Sequence, residues 1–138
     1  DTTIAAARLV FSGVLERYPN LRLVLSHLGG TIPFLWARLA RGASSFEGVQ
    51  SKISGDPEDY FRMFYLDSIG FAPEVLAYGA QFSGVKKIVF GTDSPFFGSQ
   101  NLRDCLKVVN ECKALTSEDR KLILTDTPRW LFGIDNPH

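Results

Sequence analysis

Apolar positions along this chain switch between a helical and a strand period. Residues 2–17 set Ile4, Ala5, Leu9, Val10, Val14 and Leu15 at helical spacing, which predicts an amphipathic helix. Tyr18-Pro19-Asn20 ends it, since proline cannot continue the hydrogen-bond ladder. Leu21–Ser26 is a short apolar run between turn signals, as expected of a strand buried on both faces. Gly29-Gly30 allows a sharp turn, and Thr31 caps a helix with Pro33 in its first turn, running to about Ala40. Residues 42–55, rich in Gly and Ser, form the least ordered-looking stretch. Asp56-Pro57-Glu58-Asp59 starts a short helix through Phe61, and Met63–Ser68 is a second strand. Pro73–Phe82 is a helix closed by Gly84, and Lys86–Phe90 is a third strand. Helices follow over about 99–114, 116–124 and 127–132. Strands that alternate with helices define an α/β fold with a parallel sheet.

Composition narrows the partners. The 138 residues suit one domain, and 45% hydrophobic content excludes a disordered chain. Fifteen basic residues balance fifteen acidic ones, so charge gives no reason to expect nucleic acid or an anionic membrane. No apolar run approaches the roughly 18–20 residues that span a bilayer, and no signal peptide is visible after Asp1. Cys105 and Cys112, seven apart on one predicted helix, would lie about 10 Å apart, too far for a disulfide. Unpaired cysteines point to a cytoplasmic location.

The strand tips carry the candidate chemistry, because parallel sheets gather function at their carboxyl ends. His27 follows one strand and could move a proton near neutral pH; the alternative is a hydrogen-bonded core histidine. Asp93 ends another strand as a metal ligand or general base, unless it only caps the turn at Ser94-Pro95. Asp67 and Ser68 end the middle strand and either cap the turn that follows or, for Asp67, bind substrate. Arg38, eleven residues past His27, is either a surface arginine or a bidentate clamp on a substrate carboxylate. Phe34, Trp36, Phe96 and Phe97 read as core or interface aromatics. Parallel strands would bring His27 and Asp93 within roughly 10 Å, with Asp67 between them.

Taken in order, Arg17-Tyr18-Pro19-Asn20-Leu21, Ser26-His27-Leu28-Gly29-Gly30-Thr31-Ile32-Pro33, Phe64-Tyr65-Leu66-Asp67 and Phe90-Gly91-Thr92-Asp93-Ser94-Pro95-Phe96 resemble the carboxyl-terminal half of the amidohydrolase-2 family. That family includes aminocarboxymuconate-semialdehyde and resorcylate decarboxylases. The resemblance implies a partial (β/α)8 TIM barrel, residues 1–138 supplying strands six to eight with their helices. It implies that His27 is the active-site histidine, Asp93 a ligand of one divalent metal (zinc or manganese), and Arg38 a substrate-carboxylate binder. The family's terminal helix carries an asparagine and no proline, whereas this chain reads Asp126-Thr127-Pro128-Arg129.

The family's strand-one His-x-His pair and strand-five His have no counterpart here; the only other histidine is His138. The expectation is therefore a fragment of a metal-dependent, non-oxidative decarboxylase of an aromatic or unsaturated carboxylic acid, itself inactive and binding no metal. A hydrolase of the same family is the near alternative, and a non-catalytic, self-associating half-barrel is the distant one. Three parallel strands leave two open edges, which favours a homo-oligomer.

Overall fold

A computed structural model describes residues 1–45, 52–98 and 100–134. Residues 46–51 of the Gly/Ser-rich stretch, Ser99 and His138 lie outside the described residues. The elements are α1 (Thr2–Phe11), α2 (Val14–Arg17), β1 (Val24–Leu25), α3 (Ile32–Ser45), α4 (Pro57–Phe61), β2 (Tyr65–Asp67), α5 (Pro73–Ser83), β3 (Ile88–Val89), α6 (Asn101–Glu111), α7 (Ser117–Lys121) and α8 (Thr127–Phe132). The three strands form one parallel sheet in the order β1-β2-β3, so β2 is central as the sequence implied.

The apolar pattern becomes a core through one row of the sheet. Leu25 pairs with Leu66, and Leu66 with Ile88. All three are buried in one cluster with Ala6 and Val10 of α1, Ile32 of α3, Phe61 of α4, Leu76 of α5 and Val109 of α6. Each such side chain contributes about 1.5–3 kcal/mol on leaving water. Helices α1 and α3–α6 therefore lie over the Leu25–Leu66–Ile88 face, whereas Trp130 of α8 meets Tyr65 of β2, ring centroids 6.2 Å apart.

Several boundaries differ from the periodic reading, each for a local reason. The helix expected over 2–17 breaks at Gly13, whose φ of 75° separates α1 from α2. The strands are two or three residues long, because a 3₁₀ turn occupies Val85–Lys87 before β3 and another occupies His27–Gly29 after β1. The first strand is not buried on both faces: Val24 is 38% exposed on an edge strand. The third helix extends past Ala40 to Ser45. Thr31 directs its hydroxyl to that of Thr3, 2.9 Å away, while its carbonyl accepts from Phe34 and Leu35. Pro128 falls in the first turn of α8, where a missing N–H costs nothing, so the departure at Asp126–Arg129 is accommodated. Cys105 and Cys112 are both buried and unbridged. Trp36 stacks at a tilt on Phe82, ring centroids 6.3 Å apart, whereas Phe34, Phe96 and Phe97 are exposed.

Candidate active site

The carboxyl ends of the strands share one backbone property. Among the described residues, the five non-glycine positions with positive φ are His27, Leu28, Phe71, Asp93 and Phe97. His27 and Leu28 follow β1, Phe71 follows β2, and Asp93 and Phe97 follow β3. Left-handed backbone costs an L-residue roughly 1–2 kcal/mol, and such strain persists where surrounding contacts over-determine it. The opposite end of the sheet carries none of these residues.

His27 and Asp93 meet across that rim. Nε2 of His27 lies 3.4 Å from Oδ2 of Asp93, with the side chains 55% and 27% exposed. The separation is well inside the spacing the strand order implied. The pair is open to solvent and able to share a proton.

The turn carrying His27 is held from two directions. Both oxygens of Asp67, in the middle strand, face it: Oδ2 accepts from His27 N–H and Oδ1 from Leu28 N–H, each at 2.9 Å. Oδ1 also accepts from Ile69 N–H at 3.0 Å. Asp67 is buried and its carboxylate grips three amides, which makes it a brace for the turn. Leu28 supplies the second hold. Its buried side chain lies where a Cβ on Gly70 or Gly79 would come within 2.5 or 2.8 Å of it, so a side chain at either position would push Leu28 out of its seat. Leu28 goes down into the core, and His27 is left facing out.

The loop carrying Asp93 is closed differently. Phe96 N–H donates to Asp93 O at 2.9 Å, and Ser94 N–H to Thr92 Oγ1 at 3.3 Å. Asn101, the first residue of α6, donates through Nδ2 to Thr92 O and, at 3.3 Å, to Phe96 O. Ser68 Oγ accepts from Gly91 N–H at 3.2 Å, fixing the end of β3 against β2. The buried polar residues among those described are Asp67, Ser68, Asn101 and Thr127, and the first three serve this rim. Sequence reasoning missed Asn101 and Leu28. An asparagine near the start of a predicted helix, eight residues past Asp93, carries no sequence signal of its own.

Arg38 is exposed on α3 and forms no ion pair among the described residues, so the structure does not bring it to His27 and Asp93. The metal implied by the resemblance meets an incomplete ligand set. No group of three or more His, Cys, Asp or Glu that could hold an ion occurs among the described residues, whereas catalytic sites use about three protein ligands. Asp93 and His27 offer two donors.

An imidazole and a carboxylate thus meet on left-handed backbone at the carboxyl rim of a parallel sheet. The Amidohydrolase family model matches residues 1–134, and the chain belongs to that family. It is 30% identical over 138 residues to the gamma-resorcylate decarboxylase of a Polaromonas species, covering 98% of this chain and 41% of the relative. It is 32% identical over 97 residues to the 2-amino-3-carboxymuconate-6-semialdehyde decarboxylase of Dictyostelium discoideum, covering 70% of this chain and 27% of that one. Among solved structures it is similar to a dihydroxybenzoic acid decarboxylase from Polaromonas with bound manganese and 2-nitroresorcinol. The TM-score is 0.83 at 27% identity, over 98% of this chain and 40% of the other. The chain thus spans well under half the length of these relatives, and its α/β fold is part of a TIM barrel. No helix among the described residues is long and apolar enough to cross a membrane.

Proposed function

We propose that residues 1–138 form the carboxyl-terminal half of a divalent-metal-dependent, non-oxidative decarboxylase of a small aromatic or unsaturated carboxylic acid. The observation that carries this reading is the 3.4 Å approach of His27 Nε2 to Asp93 Oδ2 at the strand tips. The decarboxylase names of the relatives support it. Loss of CO₂ breaks a carbon–carbon bond and requires a proton on the carbon left behind. In this reading His27, with Asp93 beside it, holds and passes that proton. Arg38 would pair with a substrate carboxylate from its exposed position on α3, and Asp67 acts by holding His27. A divalent ion, zinc or manganese, would take Asp93 as one ligand and supply Lewis-acid charge for the substrate oxygens. The remaining ligands would come from outside the described residues.

The outer edges of β1 and β3 pair with no strand among the described residues. Further strands closing the barrel and assembly as a homo-oligomer belong to the same reading, as does a cytoplasmic location, supported by two unbridged buried cysteines. The test is CO₂ release from 2,6-dihydroxybenzoate by the longest open reading frame that carries this sequence, supplied with Mn²⁺ or Zn²⁺. Turnover is expected, lost in His27→Ala and Asp93→Asn, and undetectable for residues 1–138 alone. Hydrolysis of an activated ester or lactone, with no CO₂ from any aromatic or unsaturated acid, would overturn the decarboxylase reading in favour of a hydrolase.

A further inference from the structure

We propose that Asn101 is a positioning residue for Asp93, acting through the backbone of the loop that carries it. The inference rests on His27 and Asp93 being the working pair. The loop from Thr92 to Phe96 sets Asp93 at φ 56°, a conformation it holds only while its ends are tied. Two short-range hydrogen bonds close the loop on itself, and its last aromatic, Phe96, is 64% exposed. Apolar packing within the loop therefore does little to hold it, although Phe97 just beyond it meets Phe71 edge-on, ring centroids 5.2 Å apart. Asn101, only 5% exposed, reaches both ends at once: its single NH₂ group donates to the carbonyl of Thr92, just before Asp93, and to that of Phe96, three residues after it.

The orientation of that amide is itself controlled. Cys105, one turn along α6, donates from Sγ to Asn101 Oδ1 at 3.5 Å. Burial pushes the Cys105 thiol up, and the nearby negative charges of Asp104, Asp67 and Asp93 push it in the same direction. The thiol therefore stays protonated as a donor, which turns Oδ1 toward it and NH₂ toward the loop. An aspartate at 101 would have the same shape and the wrong polarity, with a carboxylate facing two carbonyl oxygens. Asn101 touches neither His27 nor the side chain of Asp93 among the described contacts, so its effect reaches the pair only through the loop.

The experiment reads the pair directly, without turnover. In the metal-free full reading frame, the imidazole ¹⁵N resonances of His27 are assigned by their loss in His27→Gln, and Asp93→Asn supplies the spectrum of an unpaired ring. Asn101→Ala is expected to move those resonances toward the Asp93→Asn positions while the far-ultraviolet circular dichroism is unchanged. With metal restored, kcat should fall about 10–100-fold, the scale for a lost supporting contact or a misplaced group, with KM near the wild-type value. Asn101→Asp should behave like the alanine variant, and Cys105→Ala should shift the resonances less. Wild-type resonances in a folded Asn101→Ala protein would overturn the proposal. Should Asn101→Ala not fold, Asn101→Ser is read the same way, and loss of fold in both would make Asn101 a stability residue and overturn it. Absence of any decarboxylation would count against the proposed reaction and leave the spectroscopic result standing.

Discussion

The turn after β1 and the loop after β3 each present one candidate side chain on left-handed backbone, His27 at φ 55° and Asp93 at φ 56°. They are held by opposite chemistry. An acceptor grips the first, where Asp67 takes the amides of His27 and Leu28. A donor grips the second, where Asn101 gives its amide protons to the carbonyls of Thr92 and Phe96. The first is also anchored in the core by Leu28, buried against Gly70 and Gly79. The second ends in exposed Phe96 and Phe97. The turn after β1 is thus part of the folding core, whereas the loop after β3 is tied on from outside it. Damage to the first should be read chiefly in stability, and damage to the second chiefly in activity.

Asp67→Ala is the largest blow to the first turn. It leaves three backbone amides without their acceptor, and each unpaired buried donor costs about 1–3 kcal/mol, so a loss of about 4 kcal/mol is expected. Urea denaturation followed by circular dichroism measures it. A loss no larger than a typical surface substitution would mean that the turn stands without the carboxylate.

His27→Gly separates geometry from chemistry at the same turn. Glycine removes a left-handed penalty of roughly 1–2 kcal/mol and adds back roughly 0.5–1 kcal/mol of chain entropy. The ion pair it deletes is largely exposed and counts for little. Stability should stay within about 1 kcal/mol of wild type while CO₂ release disappears. A strongly destabilised His27→Gly protein would show that the imidazole, and not the backbone brace, holds the turn.

The smallest effect sets a baseline far from both turns. Thr116 and Asp119 form a reciprocal cap at the start of α7, the Thr116 hydroxyl accepting from Asp119 N–H while the Asp119 carboxylate accepts from Thr116 N–H. The Thr116 backbone N–H, then its hydroxyl, hold the Asp119 carboxyl below the usual carboxylate range. A folded-state pKa that is lowered gives stability that is complete above the ordinary carboxylate range and fades as pH falls through the lowered value. Thr116→Ala should therefore cost about 1 kcal/mol at neutral pH, and the gap in thermal midpoint should narrow in acid by the share that the hydroxyl gives to the carboxylate, the lost cap on Asp119 N–H persisting. A gap that persists unchanged into acid would remove the carboxylate from the account.

Local chemistry is what a sequence records, and it located much of this site. The apolar runs ending in His27 and Asp93 predicted strand tips, and proximity along the chain was enough for Asp56 to cap α4 and for Thr116 to cap α7. The parallel alternation of strands and helices placed Asp67 between His27 and Asp93. Other features depended on groups that meet only after folding. Strand lengths were decided by the 3₁₀ turns that interrupt the apolar runs. Asp67 reaches His27 across 40 residues and holds its turn, and Leu28 finds its room at Gly70 and Gly79. Asn101 gains its role because α6 begins beside the loop it ties. A side chain's type and its neighbours in sequence state which hydrogen bonds and contacts it is able to make. Only the packed chain decides which partners come within reach, because that depends on how the sheet brings distant segments to one rim.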